Sequence, residues 1–155
     1  MKSSDHTIDT EVSGQVSKVS RQYPEGWPNN CPPSDAVDAN GDYFRLVFSD
    51  PPSKRDFQSY AELGLRHHED ECLRCGLSVF RAASDAARLY RYMRKRHPKG
   101  VNLGHLVARL ELSSVDGKTG QTRRQAHFTW WPYAETNRAT TFRSIVMDSS
   151  NAMAS

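Results

Sequence analysis

The sequence predicts an α+β fold, a small and mostly antiparallel sheet with two helices packed on it. Three observations carry this. The apolar segments follow the order β-α-β-α-β-β-β. The two helical patterns have recognisable starts and stops, and the last three strand patterns follow one another without a helix between them.

The ordered part is smaller than the chain. The 155 residues have a hydrophobic fraction of 37% and a mean hydropathy of -0.73, but the polarity is concentrated at the ends. Residues 1–22 are rich in Ser, Thr, Asp and Lys and hold no aromatic residue. Such a segment buries too little to offset its ordering entropy, so a disordered tail is predicted there and again over 148–155. A single domain over 23–147 is left, near the common domain size.

The domain opens with an irregular arm, 23–42, carrying four prolines and two glycines, whose Tyr23 and Trp27 are candidates to dock on the body. "YFRLVFS", Tyr43–Ser49, is rich in β-formers and ends at the breaker "DPP", which predicts the first strand. "SKRDFQSYAELG" combines a Ser53/Asp56 capping box, an apolar stripe of Phe57, Tyr60 and Ala61, and Gly64 as a stop, and predicts the first helix.

"RHHEDECLRC" reads as a charged loop, and "GLSVF", Gly76–Phe80, as a short buried strand. "RAASDAARLYRYMRKRH" predicts the second helix, capped at or near Ser84. Asp85 stands at its positive end, cations at its negative end, and Pro98-Lys99-Gly100 beyond it. Ala86, Leu89, Tyr90 and Met93 form its apolar stripe. "HLVARLEL" predicts a central strand, "SSVDGKTGQTRRQA" a polar turn, "HFTWWPY" the returning strand of a hairpin, and "TTFRSIVM" a last strand suited to an edge.

Several function classes lack their signatures. No apolar run approaches the ~20 residues of a membrane span, and no basic-then-apolar signal pattern opens the chain. Three cysteines, an odd number, argue against a disulfide framework and fit a reducing compartment, so a cytoplasmic protein is expected. There is no GxSxG, HExxH or GxxxxGK[ST].

Cys72-x-x-Cys75, with His67 or His68 upstream, has the spacing of a zinc half-site. The other candidate ligands are Cys31 and His97 or His105. Without a second CxxC or HxxxH the plainer reading is preferred: a loop into a strand, with no zinc and the cysteines acting as small hydrophobes.

Three polar residues interrupt apolar strand contexts: Arg45 in "YFRLVF", Ser78 in "GLSVF" and His127 in "HFTWWP". Each has an ordinary explanation as an outward-facing or strand-end residue. With the strand-then-helix run "GLSVF–RAASDAARL" and the aromatic-rich hairpin, however, they resemble the small bacterial ADP-ribosyltransferase-like domains. The chain is also similar to an uncharacterised bacterial protein family with segments of these kinds.

The resemblance covers about Tyr43 to Tyr133. It implies a site for NAD in which Arg45 holds a phosphate or ribose and Ser78 orders the pocket. Phe80 or Tyr90 would stack on nicotinamide, and His127 or Glu111 would take the third, catalytic position. The chain departs from that group at the third position, where Glu111 stands in "RLELS" and "HFTWWP" offers a His, with no ExE or QxE in either segment, so a domain that binds a nucleotide without reacting is the alternative.

Two binding-module readings stand beside it. Net charge is +3, and no acidic residue lies between Asp85 and Glu111. Arg88, Arg91 and Lys95, the run from Arg94 to Lys99, and Arg123 with Arg124 fit phosphate contacts to nucleic acid. The segment "HFTWWPY" fits an aromatic patch for a protein partner. Trp130 and Trp131 are adjacent in a strand and point to opposite faces, so one of them is expected in the core and the other at a surface or pocket.

Overall fold

A computed structural model describes residues 21–122 and 126–154, with side chains through 151. One antiparallel seven-stranded sheet organises the fold. Its strands are β1 (Val37–Asp38), β2 (Gly41–Val47), β3 (Leu77–Phe80), β4 (Leu106–Leu112), β5 (Gly117–Gln121), β6 (His127–Pro132) and β7 (Phe142–Asp148), in the spatial order β1-β5-β6-β3-β2-β4-β7. The helices are α1 (Tyr60–Leu63), α2 (Glu71–Cys75), α3 (Ala83–Arg96) and α4 (Ser149–Ala154). This is the α+β class the sequence predicts, and β7 is an edge strand as expected.

Four local expectations are corrected. The helix over "SKRDFQSYAELG" is two separate turns. A 3₁₀ turn, Lys54–Phe57, begins where Ser53 N–H donates to Asp56 Oδ2 at 2.9 Å. The chain then extends at Gln58 and restarts as α1, where Ser59 and Glu62 form a second capping box, and Gly64 ends it at φ 70°. The break is a matter of competition: each box satisfies its own turn, and the continuous helix has no comparable start signal left to use.

The polar turn "SSVDGKTGQTRRQA" contains a strand, β5, which pairs with β6 from Gly117↔Pro132 to Gln121↔Phe128. The hairpin partner of β6 is therefore β5, while β4 lies between β2 and β7. "ECLRC" is not loop but α2, started by Asp70 Oδ2 accepting from Leu73 N–H at 3.1 Å. α3 begins at Ala83, one residue before Ser84, with no side-chain cap.

The tail expected over 148–155 continues β7 to Asp148 and turns into α4, with Ser149 N–H donating to His105 O at 2.7 Å. Most of the expected N-terminal tail, 1–20, lies outside the described residues.

The sheet is covered on both faces. On one, Tyr43, Val47, Leu77, Val79, Ala108, Leu110 and Trp130 form the main core with Phe57. On the other, α3 sets Ala86 and Ala87 against Phe80 and Val107. Beside it the arm, through Tyr23, Trp27, Cys31 and Ala36, packs with Cys72 and Cys75 over Trp131. Trp130 and Trp131 do point to opposite faces, but both are 0% exposed, because the arm closes the face that would otherwise be open. The expectation of one exposed tryptophan fails for that reason.

Cys31 and Cys72 are joined by a disulfide, pinning the arm to α2. The odd cysteine count concealed one bridge plus one buried free thiol, Cys75, which burial pushes up to about 11. Such a thiol is a packing group and a poor nucleophile at neutral pH.

Candidate functional site

The site arises from a fault in the sheet. β2 pairs with β4 along its whole length but meets β3 only at Phe44↔Phe80. Beyond that pair the two strands part, and Arg45 spans the gap. Its Nε donates to Asp56 O and its Nη1 to Ser78 O, both at 2.8 Å. Burial lowers the Arg45 pKa to about 10, opposed by the nearby Tyr60 and Asp56, so the guanidinium keeps its charge at neutral pH. Asp56 in turn accepts from Phe48 N–H at 2.8 Å, which fastens the 3₁₀ turn over the end of β2.

A cavity of about 520 Å³ opens at this fault. Its size lies within the ~300–1,000 Å³ of small-molecule sites. Arg45, Leu46, Ser78, Phe80 and His127 form its floor. The segment from Arg55 to Glu69 makes one wall, and α3 makes the other through Asp85, Arg88, Leu89, Tyr92 and Met93. The lining is largely apolar. Among the described residues its charged side chains are four arginines, 45, 55, 66 and 88, against three carboxylates, Asp56, Glu69 and Asp85. Arg66 pairs with Glu69 at 3.2 Å and Arg88 with Asp85 at 2.7 Å.

The most specific geometry is on the floor. Ser78 and Phe80 lie opposite Thr129 and His127 in the β3–β6 ladder, so the four side chains share a face. His127 Nε2 is 2.9 Å from Ser78 Oγ, and its Nδ1 is 2.9 Å from Thr122 Oγ1. Thr122 Oγ1 is 2.8 Å from Thr129 Oγ1, and Phe80 meets the imidazole edge to face, with ring centroids 5.5 Å apart. The ring is thus oriented by contacts on both nitrogens and by the perpendicular Phe80 ring.

Of the residues picked from sequence, Arg45, Ser78, Phe80 and His127 come together on this cavity. Two do not. Glu111 is on the exposed side of β4, where its Oε1 accepts from Arg143 Nε at 3.0 Å, one strand beyond β2 from the fault. Tyr90 is buried on the sheet side of α3, and the apolar stripe divides accordingly: Ala86 and Tyr90 are buried, while Leu89 and Met93 face the cavity. The aromatic wall comes instead from Phe48, Tyr60 and Tyr92. Tyr92 follows from the i, i+3, i+4 spacing to Leu89 and Arg88; Phe48 and Tyr60 carried no such signal.

The remaining expectations are placed as follows. Arg88 is at the cavity rim, and Arg123 and Arg124 lie outside the described residues, as does any basic surface they complete. The tryptophans of "HFTWWPY" offer no surface to a protein partner. Cys72 is bonded to Cys31, and no group of three His, Cys, Asp or Glu side chains among the described residues is arranged to hold a metal ion. No helix among the described residues is long and apolar enough to cross a membrane.

Compared with protein families, curated proteins and solved structures, the chain shows no match in any of the three.

Proposed function

We propose that the chain binds a small molecule in the cavity between β2, β3 and α3, and that this molecule is a nucleotide, with NAD the first candidate. The observation that carries the reading is the convergence of Arg45, Ser78, Phe80 and His127 on one cavity rimmed by further arginines and aromatics. A nucleotide has flat rings for the aromatic and apolar walls and phosphate for the cationic side. An ADP-ribosyltransferase-like layout gave these four among six candidates from sequence, Tyr90 and Glu111 being the two that lie elsewhere. In this reading Arg45 acts chiefly through its charge, since two of its donors are held by backbone carbonyls. With Glu111 on the far side of β2, His127 takes the third position.

Calorimetric titration with NAD, ADP-ribose and AMP tests this. One saturable site is expected. Tyr92→Ala, at the rim and 45% exposed, should weaken binding by up to about ten-fold through loss of an aromatic contact. Absence of binding by all three compounds rejects the nucleotide reading.

The disulfide also bears on location. A Cys31–Cys72 bridge favours an oxidising setting over the cytoplasmic one suggested by the odd cysteine count.

A further inference from the structure

We propose that Ser78 and His127 are a nucleophile–base pair, and that the cavity hydrolyses esters of small apolar acids. The inference rests on the reading that the cavity takes a small molecule, but it does not require that molecule to be a nucleotide. A serine hydroxyl is a weak nucleophile until a base within hydrogen-bond reach takes its proton, and that base works best when a third group orients it. Ser78 Oγ and His127 Nε2, 2.9 Å apart, are on the cavity floor, and Thr122 Oγ1 stands 2.9 Å from the other ring nitrogen.

The contacts accommodate the tautomer this step needs. For Nε2 to accept from Ser78, the ring proton sits on Nδ1 and is donated to Thr122, whose own hydroxyl donates onward to Thr129 Oγ1 at 2.8 Å. The Arg45 guanidinium donates to the carbonyl of Ser78 itself at 2.8 Å and adds a positive charge to the cavity lining. Leu46, Leu63, Leu89, Met93 and Leu103 line the rest of the cavity and suit an apolar acyl group.

The step balances without a cofactor. Ser78 Oγ bonds to the ester carbonyl carbon as its proton passes to His127 Nε2. The carbon–oxygen bond to the leaving alcohol breaks, and that alcohol departs with the proton. Water then attacks the acyl-serine, giving a proton to His127. The acyl–serine bond breaks and Ser78 recovers the proton, so that ester and water become acid and alcohol.

The test is covalent labelling of the full chain with an alkyl fluorophosphonate, read by intact mass and peptide mapping, beside hydrolysis of p-nitrophenyl acetate, butyrate and octanoate. One adduct on Ser78 is expected, with labelling roughly 100-fold slower in His127→Gln. Ester hydrolysis should be lost in Ser78→Ala. Wild-type protein with no adduct on Ser78 overturns the proposal, and that result needs no variant to fold. Equal labelling of wild type and His127→Gln also overturns it. Nucleotide binding is read separately by calorimetry. Protein that binds NAD but is not labelled sinks this inference alone, and labelling of Ser78 in protein that binds no nucleotide sinks the nucleotide reading alone.

Discussion

Arg45 Nη1 lies 2.8 Å from the carbonyl oxygen of Ser78, and the same guanidinium reaches Asp56 O through Nε. One side chain therefore stands where the β2–β3 ladder is missing, and the cavity exists because it does. Arg45→Ala leaves two carbonyls without their charged donor. It should lower stability by about 3 kcal/mol, with Arg45→Lys recovering part of that, by urea denaturation. A loss of ligand binding in Arg45→Ala would then report the cavity's collapse as much as the loss of its charge.

The disulfide makes a chemical prediction. Under denaturing, non-reducing conditions one thiol, Cys75, should react with a maleimide, and three after reduction. The bridge closes a loop of sequence separation 41. On the chain-entropy estimate, reducing it should cost about 3–4 kcal/mol of stability, measured as a fall in urea midpoint with and without reductant.

A further ion pair holds α1, which forms part of one cavity wall. Arg138 donates to Glu62 Oε1 and Oε2 at 2.7 and 2.9 Å and to Phe57 O at 2.7 Å. Burial pushes the Glu62 carboxyl up, but the hydrogen bonds from Arg138 and from Ser59 N–H outweigh it, and the net shift is downward. A carboxyl lowered in the folded state adds stability that is complete above its unfolded pKa of about 4.3 and is lost as pH falls through the folded value. Glu62→Gln should therefore flatten the acid limb of the stability curve and cost less than about 1 kcal/mol at neutral pH, since the pair is partly exposed.

Gly76 leads α2 into β3, and a methyl group there would stand 2.2 Å from Thr129 Cγ2. Thr129 ends the chain of contacts that orients His127. Gly76→Ala should lower stability by about 1–3 kcal/mol and displace Thr129. The first effect is checked by thermal melting, the second by a changed chemical shift of the His127 ring protons.

The sequence made the fold class legible through its strand-forming runs and the charged ends of α3, and it made Arg45, Ser78 and His127 conspicuous as polar breaks in apolar strands. It could not show how the strands are ordered. β5 is built from Gly, Lys, Thr and Gln, which read as a turn, and becomes a strand only because β6 and β1 pair with it on both sides. The Cys31–Cys72 bond depends on the arm folding back over Trp131, a tertiary event that residue spacing does not encode. Glu111 was selected by type and proximity to a strand, and pairing with Arg143 on β7 takes it away from the site. Thr122, the partner of His127 Nδ1, follows a strand that was not expected and so was not a candidate.

The most direct test of the cavity is a methyl NMR titration of protein labelled at Leu, Met and Val with NAD and, in parallel, ADP-ribose. Saturable shifts are expected at Leu46, Leu89 and Met93, which line the cavity, while Leu110 and Leu112 in the opposite core stay in place. Shifts confined to methyls away from α3 and the β2–β3 gap, or no shifts at millimolar ligand, would contradict the nucleotide reading.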